Sequence, residues 1–139
     1  MSIRARRAPF KVRKLLVIDD DTKLLASYRD LLSPYGFEVL TAPDGQEAIP
    51  LVEKNPDIQL VILDLAMPRM DGRAWLRWFR GLRQGQELPV IVITAYKFDP
   101  DDAELKAAVV LEKPFHVAEL LDLVGLFCGL SWPMEPAKA

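Results

Sequence analysis

One cysteine and one histidine are all the thiol and imidazole chemistry in this 139-residue chain. Cys128 alone cannot close an internal disulfide, and its apolar helical surroundings mark it as core filling in a reducing compartment. The only histidine, His116, is expected at the surface early in the last helix, so no Ser/His/Asp catalytic set is read, and with one cysteine and one histidine no Cys/His metal spacing is present. A Gly-rich phosphate loop is missing as well. No apolar run approaches the roughly 18 residues of a membrane span, and no signal-peptide core follows the basic start. The expectation is a cytoplasmic protein with no membrane partner. Disorder and low-complexity classes are excluded by composition, since half of the residues are hydrophobic and 27% are charged.

What is present is one domain's worth of chain, on a prior of about 100 to 200 residues per domain. No second folded module fits, so no DNA-binding domain is expected in this chain. The net charge of −2 conceals an asymmetry. Arg4, Arg6, Arg7, Lys11, Arg13 and Lys14 are unopposed in the first fourteen residues, leaving twelve basic against twenty acidic residues, a net −8, on the remainder. The chain therefore divides into a basic arm at 1–13, a folded domain at 14–130 and a short tail at 131–139, and the arm is expected to be solvated.

Short apolar runs alternate with amphipathic stretches. Leu15-Leu16-Val17-Ile18 stops at Asp19-Asp20-Asp21, and Ile58 to Leu63 stops at Asp64. Phe37 to Leu40, Pro89 to Ile93 and Val109 to Leu111 complete five strand candidates. Between them, Leu24, Leu25, Tyr28, Leu31 and Leu32 recur at helical spacing, with Asp21 as the expected N-cap, and Pro34-Tyr35-Gly36 breaks that helix. Gln46 to Lys54 is helical in pattern, Trp75, Leu76, Phe79 and Leu82 form another stripe, Asp101 to Ala108 is a short helix candidate, and Val117 to Phe127 carries the last helix. Arg73, Arg77, Arg80 and Arg83 lie largely opposite the Trp75 stripe and read as a solvated face. Unbroken apolar strands alternating with helices predict a parallel sheet covered on both faces.

In such sheets ligands bind beyond the carboxyl ends of the strands. The residues there are Asp19, Asp20, Asp64, Thr94 and Lys113. Three carboxylates crowded together raise one another's pKa unless a cation compensates, and hard oxygen donors of this kind suit Mg²⁺. Thr94 offers a hydrogen bond and Lys113 a charge to a phosphoryl group.

These residues lie in Leu16 to Asp21, Val61 to Gly72, Val92-Ile93-Thr94-Ala95 and Glu112-Lys113-Pro114-Phe115. Four such motifs in this order resemble the receiver domain of two-component response regulators, over about Lys14 to Gly129. The resemblance implies an α/β, flavodoxin-like, doubly wound five-stranded sheet of order 2-1-3-4-5. It implies phosphorylation of Asp64 by a sensor histidine kinase or histidine phosphotransfer protein. Asp20 would bind Mg²⁺ directly, Asp19 mainly through water, and Ala66 through its backbone carbonyl, while Lys113 would pair with the phosphoryl group and Thr94 hydrogen-bond it. Apart from its own phosphorylation and dephosphorylation such a chain is a regulatory domain, not an enzyme, and a cis Lys113-Pro114 peptide is expected.

The family pattern is broken at Val110, where most receivers carry an aromatic switch residue, and between Thr94 and Lys113, which is short and points to a truncated or irregular fourth helix. These departures keep open an alternative, a pseudo-receiver that binds proteins without phosphate. A small-substrate aspartyl-phosphate hydrolase is disfavoured, because Leu65-Ala66 supplies no second acid and the chain has no cap. Ala66 and Tyr96 border the expected path of attacking water and point to slow self-dephosphorylation.

Overall fold

The computed structural model describes residues 13–67, 70–95, 99, 101–105 and 108–130. Its strands are β1 (Arg13–Ile18), β2 (Phe37–Ala42), β3 (Ile58–Asp64), β4 (Val90–Thr94) and β5 (Val109–Glu112). The helices are α1 (Thr22–Leu32), α2 (Gly45–Lys54), α3 (Gly72–Arg80) and α4 (Val117–Phe127). All strand pairs are parallel and the order is β2-β1-β3-β4-β5, as expected from the motifs.

The continuous apolar runs arise because both faces of the sheet are covered. Leu15, Val17, Leu60, Ile62, Ile91 and Ile93 pack with Leu25, Tyr28 and Leu32 of α1 and Leu120, Leu121 and Val124 of α4. Leu16, Ile18, Val61, Leu63, Val90 and Val92 face Ala48 and Val52 of α2 and Trp75, Leu76 and Phe79 of α3. Trp75 is fully buried and stacks on Phe79 with ring centroids 4.8 Å apart, a geometry worth about 0.5–1.5 kcal/mol beyond the buried area.

Local signals act where the chain must turn. Asp21 caps α1, its carboxylate accepting from the Lys23 and Leu24 N–H groups at 3.0 and 3.1 Å. A short 3-10 turn at Ser33–Tyr35 ends on Gly36, whose φ of 90° is left-handed and suits a residue without Cβ. The Lys113-Pro114 peptide is cis. His116 is exposed and precedes α4 as its N-cap, with its N–H held by Glu119 Oε1 at 3.0 Å. Cys128 caps the far end of α4, half-buried against the core, and burial pushes its thiol pKa up. At the opposite edge of the sheet from the strand-end acids, Lys14 of β1 pairs with Asp57 at 3.1 Å. Residues 1–12 of the basic arm and the tail at 131–139 lie outside the described residues.

Two expectations need correction. The helix candidate at Asp101 to Ala108 is, among the described residues, only a 3-10 turn at Ala103–Leu105, with Leu105 buried under it. The arginines of α3 do not form a plain solvated face. Arg73 pairs with Asp102 at 2.5 Å and with Glu104 at 3.1 Å, Glu104 also receives Arg77, and Arg80 donates to the Gly85 and Leu88 carbonyls at 2.7 Å each. The segment that crosses from β4 to β5 is thus tied to α3 by charge where a longer helix would have packed.

These pairs are partly exposed, so salt screens them. Glu104→Gln is expected to lower Tm at low ionic strength and to lose most of that effect in about 0.5 M salt. Leu105→Ala, which empties part of the core, should lower Tm equally at both. A Glu104→Gln deficit that persists in high salt would mean that the segment is held by packing instead.

Candidate functional site

The strand register explains which side chains meet. Ile18 of β1 pairs with Leu63 of β3, Leu63 with Val92 of β4, and Val92 with Val110 of β5. One rung further on, Asp19 follows Ile18 beside Asp64, which itself pairs with Ile93. On the next rung Thr94 pairs with Glu112, and the Lys113 N–H donates to the Thr94 carbonyl at 2.8 Å. Carboxylate oxygens of Asp19, Asp20 and Asp64 all lie within 4.8 Å of one another. Asp19, Asp64 and Thr94 are buried, whereas Asp20, Lys113 and Ala66 are exposed. Every residue expected at the site is therefore carried to the same edge of the sheet.

Neighbouring backbone holds the two buried carboxylates. Asp19 Oδ1 accepts from the Asp21 N–H at 2.9 Å, and Asp64 Oδ1 accepts from the Ala66 N–H at 3.3 Å. Burial pushes the Asp19 carboxyl up to about 6; the Asp21 N–H and the Lys113 charge oppose this, and the charges of Asp64 and Asp20 add to it. Asp64 is raised for the same leading reason, against the Ala66 N–H and Lys113, with Asp20 again adding. Tyr28 of α1 is buried on the same side, and its phenol is held neutral by burial and by the charges of Asp19 and Asp64. The arrangement is a site short of positive charge, with three hard oxygen donors converging.

The profile of the response regulator receiver domain matches residues 15–125. The chain belongs to that family. Among curated relatives, the response regulator MprA of Mycobacterium sp. (strain KMS) is 41% identical over 112 residues, which cover 78% of this chain and 47% of MprA. The transcriptional regulatory protein CpxR of Escherichia coli K12 is 36% identical over 79% of this chain and 47% of its own length. This receiver spans about half the length of those relatives, whereas a 14.6 kDa protein of Leptolyngbya boryana is 37% identical and matched over 93% of its length and 87% of this chain. Two solved structures are similar throughout the fold. Vibrio cholerae chemotaxis protein CheY4 has a TM-score of 0.76 at 28% identity, covering 84% of this chain and 98% of that one. Thermotoga maritima response regulator TrrA, solved in complex with Mg²⁺ and BeF, has a TM-score of 0.74 at 28% identity, covering 84% and 99%.

Some of what shapes this receiver's site has no signal in the motifs themselves. Gly72 opens α3 against the end of β3, where an added Cβ would lie 2.5 Å from the Asp64 carbonyl oxygen and 2.6 Å from Leu65 Cα. Its own N–H donates to Leu65 O at 2.9 Å. Glycine is needed here for space, whereas in sequence Pro68 and Gly72 read only as the brackets of a loop. Val110, at the usual aromatic position, is half-buried against the α2 and α3 side of the core. Tyr96 lies outside the described residues.

A carboxyl whose pKa is raised by folding binds its proton more tightly in the folded state. The Asp19 contribution to stability is therefore greatest below the unfolded pKa near 3.8 and is lost as pH rises through about 6. In chelator, the stability difference between Asp19→Asn and wild type should move in the variant's favour by roughly 1.4 kcal/mol from pH 5 to pH 7.5. Denaturant titration of both proteins at the two pH values measures it. A difference independent of pH would mean that Asp19 ionises as freely in the fold as in the unfolded chain.

Proposed function

We propose that this receiver takes a phosphoryl group onto Asp64 from a sensor histidine kinase or histidine phosphotransfer protein, as the cytoplasmic acceptor of a Mg²⁺-dependent phosphorelay. The observation that carries the reading is the convergence of the Asp19, Asp20 and Asp64 oxygens within 4.8 Å at the sheet edge reached by Lys113. The donor set fits the ion, being all hard oxygen, and the raised Asp19 and Asp64 carboxyls mark a place where a dication relieves repulsion. Asp20 and Asp64, with the Ala66 carbonyl, would hold it, and Asp19 would act through water. Bound Mg²⁺ supplies charge neutralisation for the transferring group.

The chain's own residues supply the remaining chemistry. An Asp64 carboxylate oxygen attacks phosphorus, so that an O–P bond forms while the donor's N–P bond breaks and the imidazole leaves with its electron pair. The Lys113 ammonium offsets charge on the phosphoryl oxygens, and the Thr94 hydroxyl donates to one of them. Because both are carried on the ends of β4 and β5, the core of the sheet fixes their position.

Mg²⁺ and acetyl phosphate should add one phosphoryl group by intact mass, and Asp64→Asn should abolish the adduct. Labelling of Asp64→Asn at the wild-type rate would refute the assignment, and unlabelled wild-type protein that still binds Mg²⁺ would favour the pseudo-receiver. Asp20→Ala should weaken Mg²⁺ by roughly tenfold or more, ~1.4 kcal/mol, and Asp19→Ala by less. Lys113→Ala should leave metal affinity intact or tighten it, because it removes a nearby positive charge. Equal losses in the two aspartate variants would remove the distinction between direct and water-mediated contact.

The lifetime of the phosphorylated state follows from the same edge. Ala66 is exposed and offers no polar group to orient attacking water. Slow self-dephosphorylation is expected, and Ala66→Asn should speed the decay of phosphoprotein after the donor is removed. Unchanged or slower decay in that variant would count against water positioning as the limiting factor.

A further inference from the structure

A second close approach lies away from the acidic cluster, at the start of α2. Asp44 is fully buried there and caps the helix, its Oδ1 accepting from the Glu47 N–H at 2.9 Å and its carbonyl from the Ala48 N–H at 3.2 Å. The first turn of α2 is thereby fixed against the core. Gly45, the next residue, is buried and donates its N–H to the Met70 carbonyl at 3.3 Å. A Cβ on Gly45 would stand 2.8 Å from Met70 Cγ, 2.9 Å from Met70 O and 3.0 Å from Met70 Sδ. The methionine side chain can swing away; the backbone oxygen can yield only by moving the chain that carries it.

That chain has little slack. Two residues after Met70, Gly72 is locked to Leu65 by its 2.9 Å hydrogen bond and stands against the Asp64 carbonyl with no room for a Cβ. Leu65 is bonded in turn to β4 through Ile93 O at 3.2 Å, and Ala66 follows it with its N–H on Asp64 Oδ1. A displacement at Met70 is therefore passed through Gly72 and Leu65 to Ala66 and the Asp64 carboxylate.

We infer that Gly45 is a positioning residue for the phosphoacceptor edge: the capped start of α2 is the stop against which Met70 is set, and through Gly72 it fixes where Ala66 stands relative to Asp64. This rests on the proposed role of Asp64 and Ala66 in holding Mg²⁺ and accepting phosphate. Gly45 touches neither metal nor phosphate; it acts by having no side chain. Residues outside the first coordination sphere commonly alter metal affinity by about 10–100-fold through such positioning.

The test compares wild type, Gly45→Ala and Val52→Ala, the last removing buried volume from the same helix without approaching Met70. Three quantities are read, the first two at a temperature where all are folded: Mg²⁺ affinity by isothermal titration calorimetry, the ¹H–¹⁵N position of the Ala66 amide in metal-free protein, and Tm. Gly45→Ala is expected to weaken Mg²⁺ by about fivefold or more and to move the Ala66 amide resonance, whereas Val52→Ala lowers Tm and changes neither. Should Gly45→Ala fail to fold, Gly45→Ala with Met70→Ala, which removes the side-chain clashes and keeps the carbonyl one, is read in its place. An Ala66 amide that stays at the wild-type position overturns the inference. If wild type itself takes up no Mg²⁺, the functional reading falls while the amide shift, which needs no metal, still decides the positioning.

Discussion

The pairing of β1 with β3 is the constraint on which the rest of the molecule depends. These strands are adjacent in space although β2 lies between them in sequence, and their register sets Ile18 beside Leu63. A slip of one residue would exchange the two faces of a strand buried on both sides and separate Asp19 from Asp64. The apolar rungs below, Leu16 with Val61 and Val17 with Ile62, are buried almost completely and hold that register against the repulsion between the acids at its end. Hydrophobic burial and charge repulsion thus act at opposite ends of the same two strands. The topology places the repulsive end at the crevice where strand order reverses.

The two sides of the sheet are held differently beyond it. On one side α1 and α4 cover the core with apolar contacts from Leu25 to Val124. On the other, α2 and α3 do the same, and the crossing from β4 to β5 is tied down by Arg73 and Arg77 gripping Asp102 and Glu104. Ion pairs at partial exposure contribute less than packing and depend on ionic strength, so this crossing is expected to be the least firmly held part of that side. It leaves β4 directly after Thr94 and returns to β5 four residues before Lys113, so its hold bears on the two groups proposed to contact a phosphoryl oxygen.

Most of the fold and the membership of the site were legible because local and global signals agree here. Each buried strand appears as an unbroken apolar run, and each run relevant to the site stops at the residue that projects from the sheet edge, so Asp19, Asp64 and Thr94 could be placed before any contact was known. Asp21 was legible as a cap because its role involves only its own helix. What escaped sequence reading depends on partners distant in the chain. The period of α3 assigns Arg73 and Arg77 to its polar side but cannot say that a segment some thirty residues later crosses it with acids at the right height. The same segment has helical composition, yet among its described residues only a 3-10 turn at Ala103–Leu105 forms between β4 and β5. Gly45 and Gly72 read as a turn and a loop boundary; that each makes room for a backbone carbonyl is visible only in three dimensions.

Among the described residues, four polar or charged side chains are buried: Asp19, Asp44, Asp64 and Thr94. Three are at the candidate site, and comparison with the fourth separates stability from function. Asp44 caps α2 as a helix N-terminus requires, so its burial is compensated by the Glu47 N–H and by the positive end of the helix. Asp19 and Asp64 accept from the Asp21 and Ala66 N–H groups, but their oxygens lie within 4.8 Å of each other and of Asp20, and both are left with raised pKa values. A chain selected for stability alone would place amides or apolar groups there, since an isosteric neutral side chain removes the repulsion. The retained acids therefore support the proposed Mg²⁺ site, while the compensated acid, Asp44, serves the start of its own helix.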